Sequence, residues 1–341
     1  MLYFACDYQE GAHEQVLLRL AETNYVSQPG YGTDCFCAAA TEKIRHACAA
    51  PSADVFYIVG GTLTNAVVLS ALLKPGEGVF SAQSGHINVH EAGAIENTGH
   101  VIIQRPSHFG KISPDDLEAW LDNHHAVGDY VHTVLPGAVY LSHPTEYGTL
   151  YTHAELKRIS DLCKKHGLLL YLDGARLGYA LASPENDLSL ADISYLVDVF
   201  YIGGTKVGAL CGEAVVFPRA NAPKHFMNHM KRNGAVLAKG RLLGAQFEAL
   251  FTDDLYRKLG AIGIEQANKL KDLLHRKNIR MWLETPTNQQ FVILENGYLK
   301  RLLDHVAPCV WGNYDDKHTI VRFTTSWATT DAMLQELERY L

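Results

Sequence analysis

Short runs of β-branched and aromatic residues alternate with longer amphipathic stretches over most of the first two thirds of the chain. In chain order the apolar runs are VFYIV, GVFSA, HVIIQ, AVYLS, LLLYLD, DVFYI and EAVVF. Strands that alternate with helices need crossover connections, so this pattern predicts an α/β fold with a mostly parallel sheet covered by helices on both faces. Such a sheet binds ligands at the carboxyl ends of its strands.

Two regions depart from this alternation. Residues 1–50 lack it and carry the loop SQPGYGTD, and beyond about residue 220 long helical stretches lead to a small region that contains IVRFTTS and ends in DAMLQELERYL. We therefore expect an N-terminal segment with an interface loop (1–50), a large α/β domain (51–250) and a small C-terminal α+β domain (251–341).

Composition and charge exclude several classes of function. Apolar residues make up 47% and charged residues 20% of the 341 residues, which is ordinary for a folded globular protein. The net charge is −7 and no block of lysine or arginine occurs, so we expect no nucleic-acid partner. No apolar stretch approaches the roughly 18 residues of a spanning helix, so we expect no membrane partner.

The N-terminal sequence bears on location. MLYFACDYQE lacks the basic region that begins a secretory signal and turns acidic at once, which predicts a cytoplasmic protein. The seven cysteines form no CxxC pair, a pattern typical of reduced, mostly buried thiols.

A glycine-rich segment separates VFYIV from the helical stretch that follows it. Gly60 and Gly61 permit close approach of the backbone, and the helix that begins near Thr62 offers N–H groups to an anion. The segment lacks the third spaced glycine of the dinucleotide fingerprint and the GK[ST] of a P-loop. On this segment alone, a tight strand-to-helix turn and an anion site are equally open.

Ionisable residues stand at unusual places in three other apolar runs. Asp173 ends LLLYLD, where a carboxylate needs a cation; Arg176 could supply one in an internal ion pair, so a structural and a functional reading are both open. Lys206 follows DVFYIGGT, where burial would lower its pKa and leave an amine able to attack a carbonyl. Arg322 lies within IVRFTTS, where its guanidinium could bind a substrate carboxylate through two parallel hydrogen bonds.

These four features together match the needs of one cofactor, pyridoxal 5′-phosphate. Its phosphate binds a helix N-terminus, its ring nitrogen pairs with a carboxylate, and its aldehyde forms a Schiff base with a lysine. Chance explains each feature singly but explains the set poorly. The residues therefore predict a pyridoxal-phosphate enzyme.

The ordered motifs resemble a known family over nearly the whole chain. FACDYQEG, GYGTD, GGTLTN, SGHINVHEAGAIE, YLDGARLG, FYIGGTKVG and VRFTTS are similar to segments of the low-specificity L-threonine aldolases of the β-eliminating-lyase group. These are pyridoxal-phosphate enzymes of fold type I, the aspartate-aminotransferase-like fold. TEYGTLYT and the pair Lys239 and Arg241 resemble most closely the phenylserine-aldolase-like branch.

The resemblance implies a role for each matching residue. Lys206 would form the Schiff base, Asp173 would keep the ring nitrogen protonated, His86 would stack on the ring, and Glu146 would take part in the reaction. The implied cofactor-binding set is Gly61, Thr62, His86, Asp173, Arg176, Thr205, Lys206 and Arg241, and the implied substrate-binding set is Cys6, Tyr31, Arg176 and Arg322.

The family also forms dimers or tetramers with shared active sites. By resemblance, Tyr31 and Arg241 would therefore reach the site from a neighbouring subunit, and the protein would be a homo-oligomer.

Two residues depart from the family pattern. Cys6 stands where the family has a serine that helps to bind the substrate carboxylate. HPTEY replaces a segment that commonly reads ENTHN, which puts Glu146 where the family has a histidine near the substrate hydroxyl. Glu146 is accordingly our candidate for the base that takes the β-hydroxyl proton.

A metal role is the less favoured interpretation of the histidines. His86 and His90 are four residues apart and precede Glu91, but the order is neither HExxH nor HxxEH and no third ligand is evident. We expect no metal.

The expected reaction is retro-aldol cleavage of L-threonine, L-allo-threonine or a related β-hydroxy-α-amino acid such as phenylserine into glycine and an aldehyde. Another pyridoxal-phosphate reaction, such as β-elimination, transamination or racemisation, remains an alternative because all of them begin from the same cofactor. A catalytically silent binding protein on this fold is a further alternative, which the presence of lysine, aspartate and arginine together disfavours.

Overall fold

The computed structural model describes residues 1–126 and 130–341. The strands in this part of the chain are β1 (Leu2–Phe4), β2 (Asp54–Ile58), β3 (Glu77–Ala82), β4 (Val101–Arg105), β5 (Leu135–Ser142), β6 (Leu169–Asp173), β7 (Val199–Gly203), β8 (Glu213–Phe217), β9 (Arg280–Leu283), β10 (Gln289–Glu295), β11 (Val306–Asn313) and β12 (His318–Thr324). The helices there are α1 (Glu14–Thr23), α2 (Cys35–Ala47), α3 (Gly61–Leu72), α4 (His86–Val89), α5 (Pro114–Ala126), α6 (His153–His166), α7 (Leu177–Ala182), α8 (Leu190–Leu196), α9 (Phe226–Arg232), α10 (Arg241–Leu250), α11 (Leu255–Arg276), α12 (Asn296–Leu302) and α13 (Asp331–Glu338).

The larger sheet has the strand order β2-β8-β7-β6-β5-β3-β4. The pairs from β7 to β4 are parallel, whereas β8 runs antiparallel to both β7 and β2. Each of its strands lies on one of the apolar runs of the sequence, so the predicted mostly parallel α/β sheet is confirmed.

Helices cover both faces of this sheet because successive strand residues point to opposite sides. On β5, Val139 and Leu141 are buried on one face, beneath the apolar residues of helices that include α2, α6 and α11. Ala138 and Tyr140 are buried on the other face, beneath α3 and α9. Burial on both faces explains why the strands are almost continuously apolar.

The helix ends follow the signals in the sequence at one place and depart from our expectation at another. At α6, Thr152 and Glu155 form a capping box, and Gly167 ends the helix with φ +69°. Residues 226–251, FMNHMKRNGAVLAKGRLLGAQFEALF, form one of the long helical stretches expected beyond about residue 220, but the structure divides them into α9 and α10. Gly234 follows α9 with φ +72°, a left-handed conformation that a continuous helix does not contain.

The smaller sheet has the order β1-β11-β12-β10-β9. The N-terminal strand β1 joins its edge and pairs in parallel with β11, with Leu2 opposite Val306. Phe4 on this strand is fully buried with Val321 and Phe323 of β12 in the core of the smaller sheet. The chain therefore begins within the small α+β unit; the division at residues 50 and 250 stays a prediction.

The longest described helix, α11, links the two cores. Tyr256 and Leu259 near its start belong to the core of the larger sheet, and Leu270 and Leu274 near its end belong to that of the smaller sheet. Among the described residues, no helix is both long and apolar enough to cross a membrane.

Candidate active site

The carboxyl ends of β2, β5, β6 and β7 surround a cavity of ≈ 260 Å³. This is the edge at which a parallel sheet binds its ligands. The predicted site residues that line the cavity are Gly61, Thr62, His86, Glu146, Asp173, Arg176, Thr205 and Lys206. Residues separated by as much as 145 positions in sequence thus meet at one place.

Lys206 lies in a tight turn directly after β7. A side chain on Gly203 would collide with the backbone of Ala175, so glycine is required where this turn crosses the end of β6. Burial lowers the pKa of the Lys206 amine, and the charge of Arg176 lowers it further, although nearby carboxylates oppose both effects. The amine is therefore neutral, and nucleophilic, in a larger fraction of molecules than an exposed lysine would be.

Asp173 ends β6 as a buried carboxylate held by three donors. Tyr140 Oη donates to its Oδ2 at 2.5 Å, Asn65 Nδ2 donates to the same oxygen at 3.1 Å, and the Ala175 N–H donates to Oδ1 at 3.0 Å. Only 3% of the residue is exposed. These donors fix the orientation of the carboxylate at the cavity wall.

Arg176 does not pair with Asp173, so the internal ion pair that the sequence left open is wrong. Its Nε and Nη2 instead donate to Asp7 at 2.7 and 3.0 Å. Burial alone would raise the pKa of Asp7, but the charges of Arg176 and Lys206, together with hydrogen bonds from Arg176 and Asn288, lower it below its ordinary value. Asp7 is therefore an ionised carboxylate that holds Arg176 in place.

Sequence reasoning missed Asp7 and Asn288. Asn288 Nδ2 donates to Asp7 Oδ2 at 2.9 Å, and Asn288 lies in the short link between β9 and β10 of the smaller sheet. The signal for Asp7 was present, since it follows Cys6 in a family motif, but nothing in the sequence indicated that the smaller sheet contributes an amide to the site.

The N-terminus of α3 opens onto the cavity. Its N-cap is Gly60, which provides no side-chain cap, and the first N–H groups of a helix have no acceptor within the helix. A Cβ on Gly61 would meet Tyr201 Oη at 3.1 Å, so a larger residue would press on the cavity wall. The site thus presents N–H groups of Gly61 and Thr62 and the positive end of a helix dipole, the features that favour an anion.

Glu146 is a buried carboxyl whose two oxygens differ. Its Oε1 accepts hydrogen bonds from Ser142 Oγ at 2.6 Å and from the His86 N–H at 2.8 Å. Its Oε2 is buried and has no hydrogen-bond partner within the described residues. Burial raises the pKa of Glu146, although the hydrogen bond from Ser142 opposes that effect.

His86 is linked to the carboxylate of Asp173 through two residues that sequence reasoning did not assign. Its Nδ1 lies 2.6 Å from Glu91 Oε1, and Asn65 Nδ2 donates both to Glu91 Oε1 at 2.7 Å and to Asp173 Oδ2. The rings of His86 and His90 are 5.5 Å apart. Across residues 1–126 and 130–341, no group of three possible metal ligands occurs.

The hydroxyl of Thr205 is hydrogen-bonded to Glu213, a residue that the sequence did not indicate as part of the site. Its Oγ1 donates to Glu213 Oε1 at 2.9 Å, and the Gly204 N–H donates to Glu213 Oε2 at 3.1 Å. Burial raises the pKa of Glu213 to about 8. The only signal was a glutamate at the start of the apolar strand EAVVF, which by itself is weak.

Arg322 lies near the cavity but does not line it. Its Nη1 donates to Gln289 Oε1 at 2.9 Å and its Nη2 to the Ala5 carbonyl at 3.2 Å, beside the half-buried Cys6. Its Cζ lies 4.9 Å from the centre of the Trp311 ring, and its buried Nε has no acceptor among the described residues. The guanidinium therefore retains donor capacity that the described residues do not satisfy.

Tyr31 and Arg241 lie away from the Lys206 cavity of their own chain. Tyr31 is 49% exposed and lines a separate cavity of ≈ 420 Å³ together with Gly240. Arg241 donates hydrogen bonds to the carbonyls of Thr23 and Val26. Their contribution to a site on a neighbouring subunit stays a prediction.

Comparisons with known proteins agree on one family. The model of the beta-eliminating lyase family matches residues 19–298. A low specificity L-threonine aldolase of Pseudomonas aeruginosa is 29% identical over 346 residues, which cover 98% of this chain and 96% of the relative. The solved structure of Leishmania major threonine aldolase superposes with a TM-score of 0.94 at 42% identity, covering 100% of this chain and 97% of that one.

A more distant structure shows the same fold. Aspartate aminotransferase from Thermus thermophilus superposes with a TM-score of 0.73 at 15% identity and covers 100% of this chain and 90% of its own. The predicted aspartate-aminotransferase-like fold is therefore confirmed.

Proposed function

Because the chain belongs to the beta-eliminating lyase family, we propose that it is a pyridoxal-phosphate-dependent aldolase that cleaves β-hydroxy-α-amino acids into glycine and an aldehyde. L-threonine, L-allo-threonine and phenylserine are the substrates we propose. The enzyme is a lyase of the threonine aldolase type. The observation that carries the proposal is that Lys206, Asp173 and the free N-terminus of α3 line one cavity.

The residues of the cavity fit pyridoxal 5′-phosphate by the chemistry of their donors. The N–H groups of Gly61 and Thr62 would hold the phosphate, Asp173 would hold a protonated ring nitrogen, and the Lys206 amine would meet the aldehyde. His86, whose side chain is 34% exposed, would pack against the ring of the cofactor. Thr205 and Arg176 would complete the binding set, with Arg241 contributed by a second subunit.

When bound, this cofactor supplies an electrophilic aldehyde and a ring that withdraws electrons from the bond to be broken. Asp173 is a carboxylate held by Tyr140, Asn65 and Ala175, and it would sustain that withdrawal because a fixed negative charge favours a proton on a nearby ring nitrogen. Lys206 is suited to attack because its lowered pKa keeps a larger fraction of the amine neutral.

Arginine side chains account for recognition of an amino acid. We propose that Arg322 binds the substrate carboxylate, supported by its buried and unsatisfied Nε. The carboxylate of Asp7 accepts its hydrogen bonds from Arg176 and Asn288. Cys6 and the partner position Tyr31 would complete the substrate-binding set.

Glu146 is the proposed acceptor of the β-hydroxyl proton. Its Oε1 is engaged by Ser142 and His86, which leaves Oε2 as the oxygen that takes or holds a proton. The raised pKa of Glu146 makes its carboxylate a stronger base than an exposed one. Both features suit a residue that accepts a proton in one step and returns it in a later one.

The test is to incubate the purified protein, loaded with the cofactor, with L-threonine, L-allo-threonine and L-phenylserine and to measure glycine and aldehyde. Stoichiometric glycine and aldehyde from at least one substrate is the expected result. Ammonia and a keto acid would instead identify β-elimination, and amino transfer to a keto acid would identify an aminotransferase. Either product pattern without glycine contradicts the proposal.

We further propose a homo-oligomer, a dimer or a tetramer, because Tyr31 and Arg241 do not line the cavity of their own chain. A cytoplasmic location stays a prediction.

A further inference from the structure

Glu91 is a buried acid to which the proposed mechanism assigns no role. It follows the short helix α4, and its side chain is 0% exposed. One of its oxygens, Oε1, contacts both Asn65 Nδ2 at 2.7 Å and His86 Nδ1 at 2.6 Å. The other, Oε2, has no hydrogen-bond partner in the described part of the chain.

Glu91 Oε1 also accepts a hydrogen bond from Asn65, and this indicates which atom donates in its contact with His86. Oε1 accepts an N–H from Asn65, whose Nδ2 is a donor only. A contact of 2.6 Å between a ring nitrogen and a carboxylate oxygen is typical of a charge-assisted hydrogen bond in which the ring nitrogen carries the proton. The hydrogen bond made by one ring nitrogen sets the state of the other, so the neutral ring keeps its lone pair on Nε2.

His86 is also held by its backbone. Its N–H donates to Glu146 Oε1 at 2.8 Å, at the start of a helix whose N-cap, Gly85, makes no side-chain cap. The residue is therefore fixed at the main chain by Glu146 and at the ring by Glu91. The carboxyl groups of Glu146 and Glu91 together fix the position of the His86 imidazole.

Asn65 connects this arrangement to the carboxylate of Asp173. Its Nδ2 has two hydrogens and contacts one oxygen of Glu91 and one of Asp173, while its Oδ1 accepts from Tyr171 Oη at 2.7 Å. Carboxylate oxygens accept whereas a tyrosine hydroxyl can donate or accept, so the contacts with Glu91 and Asp173 determine which side of the amide carries the nitrogen. Asp173, which would hold the ring nitrogen of the cofactor, and His86, which would pack on its ring, are consequently joined by a single buried amide.

We propose that Glu91 is a positioning residue that fixes His86 as the Nδ1–H tautomer and leaves Nε2 as the ring atom that can accept a proton, with Asn65 coupling this pair to Asp173. The consequence for catalysis rests on the proposed function, whereas the tautomer itself does not. Burial raises the pKa of Glu91 and the nearby Asp173 charge adds to this, while the hydrogen bonds from His86 and Asn65 oppose both.

The tautomer can be measured directly by ¹⁵N NMR of the full-length, cofactor-loaded protein labelled at histidine, since ring nitrogens with and without a proton differ widely in chemical shift. The His86 signals are assigned by their disappearance in His86→Asn. Three variants are compared with the wild type: Glu91→Leu removes the acceptor, Glu91→Gln retains a neutral carbonyl acceptor, and Glu96→Gln changes an exposed glutamate of the same segment.

In the wild type and in Glu96→Gln, the neutral His86 ring should carry its proton on Nδ1. Glu91→Leu should shift the majority of the ring to the Nε2–H form, and Glu91→Gln should lie between them. A wild-type ring protonated on Nε2, or an unchanged tautomer in Glu91→Leu, overturns the proposal. The wild-type spectrum decides alone if Glu91→Leu does not fold, and a protein that shows the Nδ1–H form but yields no glycine would contradict the proposed function only.

Discussion

Arg176 and Asp7 form a two-point ion pair that joins the end of β6 to the segment after β1, with Nε–Oδ2 and Nη2–Oδ1 distances of 2.7 and 3.0 Å. The side chain of Asp7 is 0% and that of Arg176 only 12% exposed. The strand β1 belongs to the smaller sheet and β6 to the larger one. One buried pair thus fixes the N-terminal segment against the cavity.

We predict that Asp7→Asn lowers the free energy of unfolding by about 3–5 kcal/mol, because removal of one partner leaves the buried guanidinium of Arg176 uncompensated. Chemical denaturation of the purified variant measures the change. Glu10→Gln, an exposed glutamate three residues later, is the matched control and should change stability by less than about 0.5 kcal/mol.

The same ion pair predicts how the difference in stability between the wild type and Asp7→Asn depends on pH. The pKa of Asp7 is lowered in the folded protein, so the contribution of its carboxylate is fully present above its ordinary pKa of 3.8 and is lost as the pH falls through the folded value. The gap in stability between the wild type and Asp7→Asn should therefore be constant near neutral pH and shrink in acid. A gap that is unchanged in strong acid would contradict the assignment.

Glu213 should give the opposite pH dependence. Its pKa rises from 4.5 to about 8 on folding, so above pH 4.5 the folded state holds a proton that the unfolded state has lost, and stability decreases as the pH rises towards 8. Glu213→Gln removes this group and should gain stability relative to the wild type across that interval, by at most about 1.4 kcal/mol per pH unit. Unfolding of the cofactor-free full chain from pH 5 to 9 measures it.

Glu96→Gln is a suitable control for Glu213→Gln, because Glu96 is exposed. The stability of the Glu96→Gln variant should follow that of the wild type at every pH. A Glu213→Gln protein whose stability is parallel to the wild type from pH 5 to 8 would show that Glu213 is ionised throughout in the folded state.

Asp173→Asn tests the carboxylate that we propose holds the ring nitrogen of the cofactor. An amide preserves the size of the side chain but removes the charge, so turnover with the best substrate should fall by about 10² or more while the protein stays folded. Steady-state kinetics and circular dichroism check both parts. Asp161→Asn, a change of an exposed aspartate on α6, should leave turnover unaltered; a loss of turnover in Asp173→Asn below tenfold would contradict the role.

The sequence predicts the fold and the cavity for physical reasons that apply to particular residues. Asp173 and Lys206 interrupt apolar runs, and a charge at the end of a buried strand is visible because it is costly. The fold places both at the carboxyl edge of the larger sheet, as expected. The alternation of strands and helices predicts that edge without any knowledge of contacts.

The residues that the sequence did not predict act through pairing across long distances. Asp7 pairs with Arg176, which lies 169 positions later in the chain. It also accepts a hydrogen bond from Asn288, which lies 281 positions later. Asn65 and Glu91 lie in segments whose local pattern is compatible with an ordinary helix and loop, and only the fold brings them together beside Asp173. Polar residues of this kind leave no periodic pattern in the sequence, because their hydrogen-bond partners are distant in the chain and not adjacent to them.

Glu146→Gln tests the proposed acceptor of the β-hydroxyl proton. Glutamine keeps the carbonyl that accepts from Ser142 and from the His86 N–H, so α4 should keep its place, but its amide cannot take a proton at the position of Oε2. General acid–base catalysis contributes about 10²–10⁴-fold, so glycine formation should fall by at least about 10². The variant should still bind the cofactor, which its absorbance spectrum reports, and Glu155→Gln on α6 serves as a control for a glutamate outside the cavity. If Glu146→Gln releases glycine at the wild-type rate, the β-hydroxyl proton is accepted by another group. His86, through its Nε2, then becomes the residue to test next.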